Sequence, residues 1–192
     1  MSVLALSVVG EPVLRRATVP VSREQLAEPA TQRFIDDMIE TKRAANGAGL
    51  AANQVGDTRR IAIVEVEEGN PRYPYKPAYR LTVLVNPRIV SASDELLEIN
   101  EGCLSVPDLR GVVRRSAEIE VEFEDRDGAT QRRGVAGLTA GTFQHEIDHL
   151  DGLLFLDRVT DPRSFATWEM FDRFQRERFE QEARAIVARF GS

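Results

Sequence analysis

Cysteine is almost absent from this chain of 192 residues: Cys103 stands alone. No intrachain disulfide can form, and nothing points to an oxidising compartment. Histidine is nearly as scarce, with 2 residues. Of the 25 basic residues only Lys42 and Lys76 are lysines. The arginines are scattered among acids, which reads as codon habit rather than as a basic patch. Acidic residues number 31 and leave a net charge of −6, the wrong sign for direct readout of nucleic acid. No apolar run approaches the roughly 18 residues of a membrane span. The short apolar stretch Ser2 to Val9 has no basic flank and stops at Gly10-Glu11-Pro12, so it reads neither as a signal core nor as an anchor. These absences lead us to expect a soluble, cytoplasmic protein. With 42% hydrophobic and 29% charged residues, the length suits a single domain over residues 1–192 with its own core.

Periodicity supplies the elements. A helix is predicted from Pro29 to Ala45, with Phe34, Ile35, Met38 and Ile39 as its apolar stripe and Asn46-Gly47 as its stop. A small-residue loop follows, Gly47 to Gln54. Strands are predicted at Arg60–Val66, Leu81–Val90 and Leu96–Ile99, with an irregular excursion, Gly69 to Pro77, between the first two. Ile119, Val121 and Phe123 alternate with glutamates, which marks a half-buried strand, and Asp127-Gly128 turns it into a return strand near Thr130–Val135. A helix from Leu138 to Leu150 ends at Asp151-Gly152, and one long helix is predicted from Pro162 to about Phe190. Strands in the middle and helices at both ends define an α+β class. We expect antiparallel sheets packed around a central helix, with a long C-terminal helix.

That central helix carries His145-Glu146-Ile147-Asp148-His149. Histidines four residues apart share one helix face and can reach one metal ion, and the carboxylate between them is placed to act as a general base. A closed structural zinc site takes four Cys or His ligands, but the whole chain offers at most three, so a coordination position stays open, as in catalytic sites. Two residues compete as third protein ligand. Cys103 follows a predicted strand in Glu101-Gly102-Cys103-Leu104-Ser105. Glu169 lies 20 residues past His149, a spacing that suits a small zinc endopeptidase using two histidines and a glutamate.

Three segments in order, Gly47-Ala48-Gly49-Leu50-Ala51-Ala52-Asn53-Gln54, Glu101-Gly102-Cys103-Leu104-Ser105 and Gln144 to Gly152, resemble the motifs of the peptide deformylases. The likeness extends to Gly10–Arg15 and Leu154–Arg158, and the final helix is similar to that of the bacterial class ending in one. The resemblance implies removal of the formyl group from formyl-methionine on nascent polypeptides. It implies Cys103, His145 and His149 as metal ligands and demotes Glu169. It implies one divalent ion, natively Fe(II), with Zn(II), Ni(II) or Co(II) as substitutes; the ligand types alone would indicate zinc. It makes Glu146 the proton carrier, Gln54 and the Leu104 backbone N–H the oxyanion donors, and Gly49, Glu101 and Arg110 substrate-side residues. It also allows docking on the ribosome through the C-terminal helix.

Some positions depart from the family pattern. Lys42 replaces a common methionine, and Asn53 stands where proline or threonine is frequent; neither is expected to affect catalysis. Ala48 and Gly141, also expected to line the substrate pocket, are smaller than the usual aliphatics. They predict a wider pocket that penalises formyl-Phe and formyl-Leu less.

Overall fold

In a computed structural model describing residues 2–192, a five-stranded sheet and a two-stranded ribbon surround one helix. The elements in chain order are α1 (Arg23–Ala27), α2 (Pro29–Ala44), β1 (Gly49–Ala51), β2 (Ile61–Val66), β3 (Tyr79–Ala92), β4 (Leu96–Cys103), β5 (Val106–Ser116), β6 (Glu118–Glu124), β7 (Thr130–Ala136), α3 (Gly137–Leu150), α4 (Trp168–Phe174) and α5 (Arg176–Phe190). The sheet runs β1-β2-β3-β6-β7, β4 and β5 form the ribbon, and all pairings within both are antiparallel. The α+β class and the central helix are as expected.

The sheet lies between two helices. β2 is buried at all 6 positions, the pattern of a strand covered on both faces. Ala62 and Val64 join Phe143, Ile147 and Leu150 of α3, while Ile61 and Ile63 join Ile35, Met38 and Ile39 of α2. On β6 the alternation holds, with Ile119, Val121 and Phe123 facing the α3 cluster. Each such buried side chain contributes about 1.5–3 kcal/mol. Phe143, Ile147 and Leu150 thereby fix the rotation of α3, which fixes where its other face points.

Two expectations need correction. β5 is an 11-residue strand that the sequence conceals, because Pro107 and Gly111 interrupt it and arginines occupy inward positions. The long C-terminal helix is broken. Pro162–Ser164 forms only a 3₁₀ turn, and Ala166 then bridges to Arg110 in extended conformation. Thr167 restarts the helix by accepting from the Met170 N–H at 3.3 Å, and Gln175 (φ −124°, ψ −24°) interrupts it again. The break lets Phe171 and Phe179 both enter the core, with ring centroids 5.8 Å apart, and leaves Phe174 68% exposed. Contacts with β5 and with the aromatic core override the helical periodicity.

Candidate metal centre

The face of α3 opposite its apolar stripe presents His145 and His149, with ring centroids 4.9 Å apart. Cys103 ends β4 at the tight turn into β5, where the ribbon's register slips. A Cβ at Gly102 would lie 3.1 Å from the Trp168 ring and 3.3 Å from Arg110 Cγ, so a larger residue there requires those side chains to yield by a few tenths of an ångström. The turn brings Cys103 Sγ to 3.2 Å from His149 Nε2, which lies 3.2 Å from His145 Nε2. Ligands bound tetrahedrally at about 2.0–2.3 Å stand roughly 3.3–3.6 Å from one another, so the trio fits a single cation. Burial opposes charge on His145, but hydrogen bonds to Cys103 and Glu101 raise its pKa well above the usual range. Burial and the neighbouring His145 push His149 well below it. Glu169 does not join them and lies exposed on α4.

A ring of buried charge aims these ligands. His145 Nδ1 lies 2.8 Å from Glu101 Oε2, and Arg115 donates to both Glu101 oxygens at 2.9 and 3.0 Å. Burial opposes ionisation of Glu101, yet Arg115 and His145 hold its carboxyl well below the carboxylate range. Arg115 also donates to Asp148, which accepts from Arg158 at 2.6 Å. A carboxylate on the outer nitrogen of a ligating histidine fixes its tautomer and orientation. Glu101, expected on the substrate side, therefore spends both oxygens on His145 and Arg115. Sequence reasoning missed Arg115 and Asp148, although Asp148 stands inside the histidine motif. Asn53 is fully buried and its Nδ2 donates to the His149 carbonyl, tying the loop before β2 to the end of α3.

Beside the ligands, Glu146 is 4% exposed and its Oε2 has no hydrogen-bond partner among the described residues. Burial pushes its pKa up to about 7, with His145 and Lys76 pulling against that rise. Gly49 is explained by this carboxylate rather than by a substrate, because a Cβ would fall 2.6 Å from Glu146 Cδ and Cγ. Gln54 anchors its Oε1 on the Ala51 N–H at 2.9 Å and directs Nε2 to Ser105 Oγ at 3.1 Å, 3.5 Å from Cys103 Sγ. Leu104 occupies the turn beside it, and both residues line the central cavity. Arg110 does not. It is fully buried, donates to Asn100 and Tyr75, and packs its guanidinium 4.2 Å from the rings of both Trp168 and Phe171.

Ala48 and Gly141 do line the cavity, but the widening expected from their small size does not follow. Tyr73 packs on Ala48, Ile99 Cδ1 comes within 2.7 Å of where a Gly141 Cβ would sit, and Lys76 enters from the side. Neighbouring side chains have taken the space. Lys42, not expected to affect catalysis, has a structural place: it is fully buried and donates to Glu65 Oε2 at 2.7 Å.

Three soft and nitrogen ligands, one short of a closed site, with a buried carboxylate at their side, define a metal-dependent hydrolase. The comparisons with known proteins specify which. Residues 3–165 match the family described as Polypeptide deformylase. Peptide deformylase 2 of Nostoc sp. is 44% identical over 162 residues, which cover 84% of this chain and 89% of that protein. The peptide deformylase of Synechocystis sp. is 37% identical over 185 residues, 96% of this chain and 91% of that protein. A class I type b peptide deformylase from Acinetobacter baumannii with Met-Ala-Ser bound has a TM-score of 0.79 at 39% identity, covering 83% of this chain and 100% of that one. A peptide deformylase from Synechococcus elongatus in complex with actinonin has a TM-score of 0.73 at 32% identity, covering 98% of this chain and 86% of that one. The chain belongs to the polypeptide deformylase family, whose reaction removes the N-formyl group from nascent chains.

Proposed function

We propose that this deformylation is carried out on formyl-methionyl peptides by Glu146, Gln54 and the Leu104 backbone, around a divalent cation held by Cys103, His145 and His149. The observation that carries the reading is the convergence of Cys103, rather than Glu169, on the two histidines. When bound there, the cation supplies Lewis acidity toward the formyl oxygen and makes a water more acidic. Fe(II) is the native ion on the family resemblance, with Zn(II), Ni(II) or Co(II) able to take its place; thiolate and imidazole suit all of these.

The chain's own groups do the rest. A carboxyl with a pKa of about 7 can take the proton from the attacking water and return it to the leaving amine near neutrality. Gln54 Nε2, steadied through its Oε1, and the Leu104 N–H stabilise the oxyanion that develops on the formyl carbon's oxygen. Glu101 orients His145, while Arg110 acts from behind the wall by holding Asn100 and Tyr75. Gly49 leaves room for the Glu146 carboxylate, and Ala48 and Gly141 border the pocket for the first side chain. The reading as a small zinc endopeptidase loses its third ligand, since Glu169 is exposed. Ribosome contact through α5 has little charge to draw on: Arg178, Arg184 and Arg189 are paired with Glu182, Glu180 and Glu95. Among the described residues no helix is long and apolar enough to cross a membrane; the cytoplasm as the place of action rests on the family resemblance.

The test is substrate discrimination by the metal-loaded protein. Formate released from formyl-Met-Ala-Ser without cleavage of casein supports deformylation. Cleavage of casein without formate would return the endopeptidase.

A further inference from the structure

Both lysines of this lysine-poor chain point inward, and Lys76 enters the central cavity. It belongs to the excursion between β2 and β3, where three prolines, Pro71, Pro74 and Pro77, restrict the backbone. The excursion is pinned at several points. Asn70 Oδ1 accepts from the N–H groups of Arg72 and Tyr73 at 2.9 and 3.2 Å, and its Nδ2 donates to the Asn46 carbonyl at 3.2 Å. Tyr75 accepts from Arg110 at 3.2 Å and packs edge-on against Phe179 with centroids 4.9 Å apart. From this base Lys76 passes the Tyr73 ring, with Nζ 5.2 Å from its centroid, and donates to Thr142 Oγ1 at 2.6 Å. Thr142 lies next to Gly141 on α3, and its hydroxyl donates onward to the Leu138 carbonyl at 3.1 Å.

The other walls nearby are Ala48, Ile99, Leu138 and Gly141. An ammonium thus stands among these apolar walls, in a cavity that Asn100, Glu101, His145 and Glu146 line on its other side and that on the deformylation reading receives the substrate's first side chain. The free volume of the whole cavity is about 40 Å³, against about 150 Å³ in an engineered cavity that binds benzene, a group of roughly the bulk of a methionine side chain. A long side chain therefore has to meet or displace the ammonium. Displacement by a purely apolar group leaves Thr142 without its donor and strips the ammonium of its partner, a cost that an acceptor at the tip of the entering side chain avoids.

We propose that Lys76 is a specificity-determining residue, which makes the pocket prefer N-formyl peptides whose first side chain carries a hydrogen-bond acceptor near its tip. Methionine sulfur is a weak acceptor of this kind and the sulfoxide a strong one, whereas norleucine has none. Burial lowers the Lys76 pKa to about 8 against the pull of Glu101 and Glu146, so the group remains mostly charged at neutral pH.

The proposal rests on deformylation, and the test separates the two. Formate release is measured for formyl-Met-Ala-Ser and for its methionine-sulfoxide and norleucine counterparts, with metal-loaded wild type, Lys76→Met and Lys76→Arg. The ratio of kcat/KM for the sulfoxide over the norleucine peptide is expected to fall at least tenfold in Lys76→Met, mainly through KM, and to stay near wild type in Lys76→Arg. Lys76→Ala is expected to move the ratio the same way and serves if the methionine variant folds poorly. A ratio unchanged within threefold in the neutral variants, with formate still released, overturns the proposal alone. Failure of wild type to release formate from any of the three peptides overturns the deformylation reading and the proposal with it.

Discussion

Alanine at position 49 tests how the general base is held. Gly49 sits in β1 with an ordinary negative φ, so alanine brings no backbone strain. Its Cβ, however, would stand 2.6 Å from Glu146 Cδ and Cγ, where ordinary carbon contacts are about 3.5–4.0 Å. The carboxylate must retreat by about 1 Å, and a displacement of that size costs on the order of 10² in rate. Complete removal of a general base costs about 10²–10⁴. Gly49→Ala should therefore lose about 10² or more of kcat and approach Glu146→Ala, with metal content unchanged and a melting shift of only a few degrees. Formate release by metal-loaded protein, with elemental analysis and a thermal melt on the same samples, measures all three. A kcat within threefold of wild type would refute the argument, because Glu146 would then work equally well from another position.

Further outcomes follow from the buried charges and the ligand set. Arg115→Leu removes the buried partner that Glu101 and Asp148 share, leaving them only His145 and Arg158, and should cost about 3 kcal/mol of stability in denaturant melts; a loss below about 1 kcal/mol would mean that His145 and Arg158 compensate both carboxylates by themselves. Arg43 holds the Glu65 carboxyl below its usual range against the opposing effect of burial, with Lys42 adding to the pull. This stabilisation is present above the unfolded value, about pH 4.3, and is lost as pH falls through the lower folded value. Glu65→Gln should thus melt below wild type at pH 7 and draw level toward pH 3, whereas a constant offset across that range would contradict the linkage. If iron is the native ion, the Fe(II)-loaded protein should lose activity in air faster than Ni(II)- or Co(II)-loaded protein; equal half-lives would remove iron as the labile component.

The parts of the molecule legible in the sequence were those with strong local periodicity. The i, i+4 histidines, the α2 stripe and the alternation in β6 each encode an element whose burial follows directly from its spacing. β5 was hidden because its inward positions include Arg110 and Arg115, whose partners, Asn100, Glu101 and Asp148, become neighbours only through ribbon pairing and the approach of α3. The break at Gln175 was hidden for a related reason: aromatic residues at helical spacing cannot disclose that Phe171 and Phe179 converge from two helices. The same holds within the site. Residue type and spacing singled out His145, Glu146 and His149 and left Cys103 competing with Glu169 until the family motifs were matched, but nothing local placed Lys76 against Thr142, 66 residues away. The smallness of Ala48 and Gly141 was legible, but the side chains that occupy the space come from distant segments.

Whether Cys103, His145 and His149 hold the ion is read from metal content. Wild type, Glu169→Ala and Cys103→Ala, purified anaerobically and analysed for bound metal per chain, should separate cleanly. About one ion per chain is expected in wild type and in Glu169→Ala, with tight binding abolished in Cys103→Ala. Retention of the ion by Cys103→Ala together with its loss from Glu169→Ala would contradict that ligand set.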